Sequence, residues 1–153
     1  VSQKHIVFRI SGYYVVSRLL EGDFLDYNAA IPKISKTTVK INTRSLTDSV
    51  ERTSLLISDR LRSPIRLVVT ENKVQLSCST AMGKAHDEVD CEVSGEAVSM
   101  GFNNKYLLDA LKASDCDMVK LEINGALSPM RMIPMEGDSF LFLVLPVRVK
   151  NDD

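Results

Sequence analysis

An α+β fold is what this sequence predicts: a strand, a helix and three further strands, written twice, with two helices on one face of antiparallel sheets. Three observations carry that reading. The same order of hydrophobic patterns runs through residues 37–93 and again through 96–149. Each copy opens its helical pattern with an asparagine, and the segments after each helix alternate apolar and polar residues. The first copy reads TTVKI, NTRSLTDSVERTSLL, IRLVVT, KVQLSCS and HDEVDCEV; the second reads AVSMGF, NNKYLLDALKAS, MVKLEIN, LSPMRMI and SFLFLVLPVRV. The copies share almost no residue identities, so the repeat lies in period and capping rather than in letters. Duplicated scaffolds of this kind more often hold partners than perform chemistry.

The helices come first because their limits are best marked. Asn42 and Asn103 precede them, each with a side-chain oxygen able to accept from an orphan backbone amide of the first turn. Leu46, Val50, Thr53 and Ile57 make one apolar stripe, and Leu107, Ala110 and Leu111 the other, both directed at the sheet. The opposite faces carry Arg44, Asp48, Glu51, Arg52, Lys105, Asp109 and Lys112. Asp48 and Arg52, four apart, are placed to pair along the helix.

Among the strands, Ile65, Leu67 and Val69 face one way and Arg66 and Val68 the other. The last strand, 140–145, is apolar on both faces, as expected either of a central strand covered on two sides or of one whose end lines an exposed apolar groove before Pro146. Ahead of the repeat, residues 4–10 and 13–20 read as strands joined by a Ser11-Gly12 turn. Residues 21–36, with Gly22, Pro32 and no sustained period, read as a linker. Since a lone hairpin is marginal in water, residues 1–20 are expected to belong to a sheet whose other strands lie elsewhere. The organisation expected is 1–20 as the end of one domain, 21–36 as linker and 37–153 as a complete domain.

Composition narrows the function. With 153 residues, 44% hydrophobic and 25% charged, the chain can bury a core, and no apolar run approaches a membrane span or a signal peptide. A net charge of −1 gives no global attraction to nucleic acid, so any DNA contact must be local or geometric. Cys78, Cys91 and Cys116 are odd in number and widely spaced; Cys78 and Cys91 fall on apolar strand faces, as packed thiols in a reducing, cytoplasmic compartment would. No CxxC occurs and His5 and His86 lie far apart, so no zinc site is expected. GxSxG, GxxxxGK[ST] and GxGxxG are absent, and Ser54, Ser77 and Ser128 have no histidine placed by a motif. The acidic cluster Asp87, Glu88, Asp90 and Glu92 alternates with Val89 and Cys91 as a wet strand face does, rather than as a metal site. No catalytic residue, metal or cofactor is expected.

The segments SRLLEGDFLDYNAAIP, ERTSLL, GFNNKYLLDALKA, LSPMRM and LVLPVR, in this order and spacing, resemble the bacterial DNA polymerase III beta subunit family, the sliding clamps. The resemblance covers nearly the whole chain and makes it a C-terminal fragment: the closing hairpin of a middle clamp domain, an interdomain linker and the third clamp domain. It implies a processivity factor of DNA replication with no reaction of its own. In that family a head-to-tail homodimer ring encircles double-stranded DNA without regard to sequence, and docks the replicative polymerase and clamp-loader subunits through short peptides. It further implies that Arg44, Arg52, Lys105 and Lys112 face the DNA, Arg52 foremost. Leu25, Ala29, Ala30, Tyr106, Leu127, Pro129, Leu143, Leu145 and Pro146 would form the peptide groove, with Leu127 and Leu143 as plain core the alternative. Leu55 and Leu56 would pack against the neighbouring protomer.

Two departures stand out. The family often has proline at the position of Leu25 and arginine at that of Ala29, so partner preference is expected to differ. Part of the family's pocket also comes from residues upstream of Val1, so this chain alone is expected to bind peptides poorly and not to close a ring. Its hairpin and interface leucines are expected to promote a non-native or hairpin-swapped dimer. A peptide-binding adaptor unrelated to replication, and a small enzyme with an unrecognised site, are the competing classes.

Overall fold

The computed structural model describes residues 4–57 and 63–149. The outer limits read for the domains, at residues 1 and 153, lie outside them. The chain forms two compact units, divided between Ala30 and Ile31.

The first unit holds β1 (His5–Ile10) and β2 (Tyr13–Arg18), antiparallel, with Ile10 opposite Tyr13. Ser11 and Gly12 both take positive φ, 45° and 88°, the backbone a two-residue hairpin loop needs to match strand twist. Within this unit both faces of the hairpin are solvent-exposed, including Phe8, Tyr13 and Tyr14. One element went unread in the sequence: Tyr27–Ala30 is a single helical turn, α1, inside the segment taken as a featureless linker. The Asn28 amide donates to Asp26 Oδ1 at 3.1 Å, which starts the turn. Four residues are too few for a hydrophobic period to show.

The second unit contains the repeat. Its first copy is β3 (Thr37–Asn42), α2 (Thr43–Ser54), β4 (Ile65–Val69), β5 (Lys73–Thr80) and β6 (Gly83–Gly95). Its second is β7 (Val98–Phe102), α3 (Asn104–Ser114), β8 (Met118–Ile123), β9 (Met130–Pro134) and β10 (Phe142–Val144). All strand pairs are antiparallel, in the order β10-β9-β8-β3-β6-β5-β4-β7. The pairing obeys the repeat. The first strand of each copy pairs with the second strand of the other: β3 with β8, and β7 with β4. Each also meets the last segment of its own copy: β3 pairs with β6, and Gly101 of β7 bridges Val147 just beyond β10.

Both helices start as their asparagines require. Asn42 Oδ1 accepts from the Ser45 amide and Asn103 Oδ1 from the Lys105 amide, each at 2.9 Å. Helix α2 lies on β3 to β6, α3 on β9 and β10, and the two pack against each other. Leu46, Val50, Leu107 and Leu111 enter one core with Ile41, Leu67, Phe102, Leu121 and Met130, all essentially inaccessible to water. Each such side chain is worth roughly 1.5–3 kcal/mol, so this shared core, not any surface pair, holds the copies together.

One expected pairing fails here, and of the two readings left open for the last strand the central one falls. Arg52 pairs with Asp87 of β6, not with Asp48, because the helix lies close enough to that strand for a tertiary partner to win. The last strand is not central: β10 has only three residues and pairs with β9 alone. Its apolar outer residues are half-covered locally, Phe142 stacking on Phe140 with ring centroids 4.9 Å apart.

Candidate functional site

Three surfaces of the second unit carry the residues singled out by sequence, apart from Leu25, Ala29 and Ala30. The first is the seam where the chain leaves β10. The β9–β10 ladder ends at Val144 opposite Met130, so the next step sets Leu145 across from Pro129, which has no amide to continue pairing. Pro146 follows, and the chain turns to β7, where the Val147 amide donates to Gly101 O at 2.8 Å. Leu145 is left 65% exposed, while Leu143, Pro129 and Pro146 are half-buried. Helix α3 packs on β10 and carries Tyr106, 65% exposed, on its outer side. Leu127, in the β8–β9 loop, is 73% exposed, so it is not core. It lines a cleft of about 320 Å³ with Arg66, Ser99, Gly101, Val147 and Arg148. Leu25, Ala29 and Ala30 lie in the first unit, all exposed, the alanines closing α1.

The segment that enters the second unit is fastened near this seam. Arg131 on β9 sits opposite Glu122 on β8, pairs with it at 3.0 Å, and donates from its other guanidinium nitrogen to Pro32 O at 2.8 Å. The Lys36 amide donates to Ile123 O at 2.9 Å. A half-buried arginine thus ties residues 31–36 to the sheet that supplies Leu127 and Pro129.

The second surface is the polar side of the helices. Arg44, near the start of α2, is exposed and makes no ion pair among the described residues. Lys112 Nζ meets Glu51 at 2.7 Å and so links α3 to α2. Arg52 holds Asp87 through Nε at 2.9 Å and Nη2 at 2.7 Å. Partial burial pushes the Asp87 carboxyl up, but hydrogen bonding led by Arg52 outweighs it and leaves the group below its ordinary carboxylate range. Lys105 is exposed and engaged. Two of the four cations assigned to DNA therefore already hold carboxylates, in solvent-screened pairs that are cheap to exchange.

The third surface joins the end of α2 to the β5–β6 turn. Leu55 is 83% exposed and Met82 75%. Leu56 reaches toward Gly83, its Cδ1 3.9 Å from where a Cβ would stand there. Over Gly83–Asp90, β6 bonds to β5 only, and no described strand pairs with its other edge. Met82 and this open edge escaped the sequence reading. The length of β6, 13 residues against eight in its partner β5, was the available signal.

The remaining chemistry is quiet. Burial pushes the Cys78 and Cys91 thiols up, with Asp90 adding to the latter, the opposite of what an activated nucleophile needs. On the acidic strand, Glu88 pairs with Lys73 and Glu92 with Lys40, and no group of metal-ligating side chains occurs among the described residues. No described helix is long and apolar enough to cross a membrane.

A doubled strand-helix-three-strand unit, with paired helices on one side and an apolar seam at the end of its last strand, defines a sliding-clamp domain. Residues 28–148 match the family model of the DNA polymerase III beta subunit, C-terminal domain, and the chain belongs to that family. The beta sliding clamp of Staphylococcus aureus is 32% identical over 149 residues, which is 96% of this chain and 40% of that protein. The DNA polymerase sliding clamp of Bacillus subtilis superposes with a TM-score of 0.92 at 27% identity, over 98% of this chain and 40% of that one. The sliding clamp of Bartonella birtlesii, solved bound to griselimycin, gives 0.91 at 26% identity, over 97% of this chain and 40% of that one. The chain thus spans about 40% of the length of these relatives.

Proposed function

We propose that this chain acts as the C-terminal part of a beta sliding clamp, a processivity factor that encircles duplex DNA and tethers the replicative polymerase in the cytoplasm. The observation that carries this reading is the seam. A domain that buries its aliphatic residues thoroughly leaves Leu145 and Leu127 in water at the exit of β10. Exposed apolar side chains beside a proline-ended ladder suit the anchors of a short peptide, whose unpaired backbone finds no competing strand there. Tyr106, Pro129, Leu143 and Pro146 complete the groove within this unit. The occupants are the docking segments of the polymerase and of the clamp loader.

The helix cations fit a sliding contact. Holding DNA by enclosure needs only weak, sequence-blind phosphate contacts, so a near-neutral chain suffices. Arg44 is available, while Arg52, Lys105 and Lys112 reach phosphate by exchanging the partners they have. Leu55, Leu56, Met82 and the open edge of β6 are the contact for a second protomer, which joins by adding a strand and covering the apolar patch.

The test is topological. Full-length protein loaded onto nicked circular plasmid should stay bound through a high-salt wash and be lost when the plasmid is linearised. Equal loss from both forms would remove the ring and leave the reading of a peptide-binding adaptor unrelated to replication.

A further inference from the structure

The chain enters the second unit through residues 31–36, which form no strand or helix of their own. They are nonetheless fastened along their length. Arg131, 99 residues away on β9, donates from Nη1 to Pro32 O at 2.8 Å. Ser35 Oγ donates to Thr37 O at 2.8 Å, the Lys36 amide to Ile123 O at 2.9 Å, and Thr37 Oγ1 to Glu96 O at 2.7 Å. The first of these fastenings carries a desolvation cost. Arg131 and its partner Glu122 are 22% and 19% exposed, deeper than either helix pair, and Arg131 Nε is buried with no partner among the described residues. Ion pairs buried this far lose about as much hydration as they regain in attraction, so stability does not account for this one. What the arginine adds is a charge-assisted bond to a carbonyl that no strand would otherwise hold.

We infer that residues 32–37 are a strap that Arg131 buckles to the second unit, confining the bend between the two units to Ile31. On the near side the helical turn α1 ends at Ala30, where the first unit ends. On the far side Pro32 is held by the arginine, and its ring fixes its own φ. With the buckle open, the next fastenings are those of Ser35 and Lys36. Free chain would then run on through Ile34, adding roughly 10 Å of reach when extended. Connected rigid units give at their joints, so Arg131 sets how tightly the two units are coupled, whatever partners they bind.

The test is limited proteolysis of the full-length protein. Trypsin cutting after Lys33 is identified by mass spectrometry, and hydrogen exchange in α2 and α3 is followed in parallel. Lys33 is exposed, so the cut there reports how often the strap lifts rather than global unfolding. Arg131→Gln alone would strand Glu122, so the main variant is Arg131→Gln/Glu122→Gln, which removes both charges. A lost charge-assisted bond should speed the cut about tenfold or more, while exchange in the helices stays within about twofold. Arg131→Lys, which keeps the charge beside Glu122 but not the fork, should also be cut faster than the parent. Glu122→Gln, which leaves the donor to Pro32 in place, should be cut at close to the parent rate. Cutting at the parent rate in both arginine variants would overturn the buckle, as would rapid cutting of the parent itself at the rate of a denatured control. A fast cut matched by equal loss of protection in the helices would mean general destabilisation and overturn it too. Fast cutting in Glu122→Gln would assign the hold to the ion pair instead of the bond to Pro32, with the same result.

Discussion

Val147 and Gly101 join the two ends of the eight-stranded sheet, the Val147 amide donating to Gly101 O at 2.8 Å. The approach requires glycine. A Cβ at position 101 would stand 2.2 Å from Val149 Cγ2 and 2.7 Å from Val147 O. The valine side chain can rotate away, but the carbonyl cannot without moving the strand exit that carries Leu145 and Pro146. Gly101→Ala is therefore expected to cost about 1–3 kcal/mol by overpacking, and to weaken peptide docking as well. Urea unfolding monitored by circular dichroism checks the first effect. An unchanged midpoint would mean that the tail is not held at this bridge.

The Arg52–Asp87 pair carries a pH dependence of definite sign. Arg52 holds the Asp87 carboxyl below its ordinary range in the folded chain, against the upward pull of burial, so the pair contributes above the ordinary carboxylate pKa and is lost as pH falls through the lowered, folded one. Asp87→Asn should cost at most about 1 kcal/mol near pH 7, since the arginine is largely solvated. The difference from the parent should shrink in an acidic buffer below the ordinary carboxylate range. Unfolding curves at the two pH values decide it: a gap that persists in acid would assign the loss to packing rather than charge.

Local signals account for what the sequence made legible. Asn42 and Asn103 mark the helices, Leu46 and Val50, then Leu107 and Leu111, mark their buried faces, and alternation in Ile65, Leu67 and Val69 marks a strand. Facts that depend on a distant partner stayed hidden. Asp87 lies 35 residues from Arg52, so the nearer Asp48 looked like its mate. The edge position of β10 depends on which strands flank it, not on its own letters. The cleft formed by Arg66, Leu127 and Arg148 joins three segments that share no period. The exposure of Leu127 and Leu145 could not be read from their own letters: one sits in a loop and the other ends an apolar run, and how far each is left in water depends on the chain around it.

Leu55 offers a substitution that separates assembly from stability. It is 83% exposed, so Leu55→Glu removes little packing within the chain. In full-length protein it should weaken self-association at least tenfold in sedimentation velocity, as placing a charge in an apolar contact would, while the melting temperature of the isolated chain stays within a degree or two. An unchanged dimer would show that the end of α2 is not the contact.

The most direct measurement is fluorescence-polarisation binding of a labelled apolar clamp-docking peptide to full-length protein and to its Leu145→Glu variant. Covering a leucine is worth roughly 1.5–3 kcal/mol, so affinity should fall about tenfold or more, with the thermal melt unchanged because Leu145 is already 65% exposed. Equal binding by the two proteins would contradict the placement of the groove at the exit of β10, and no binding by either would contradict peptide docking itself.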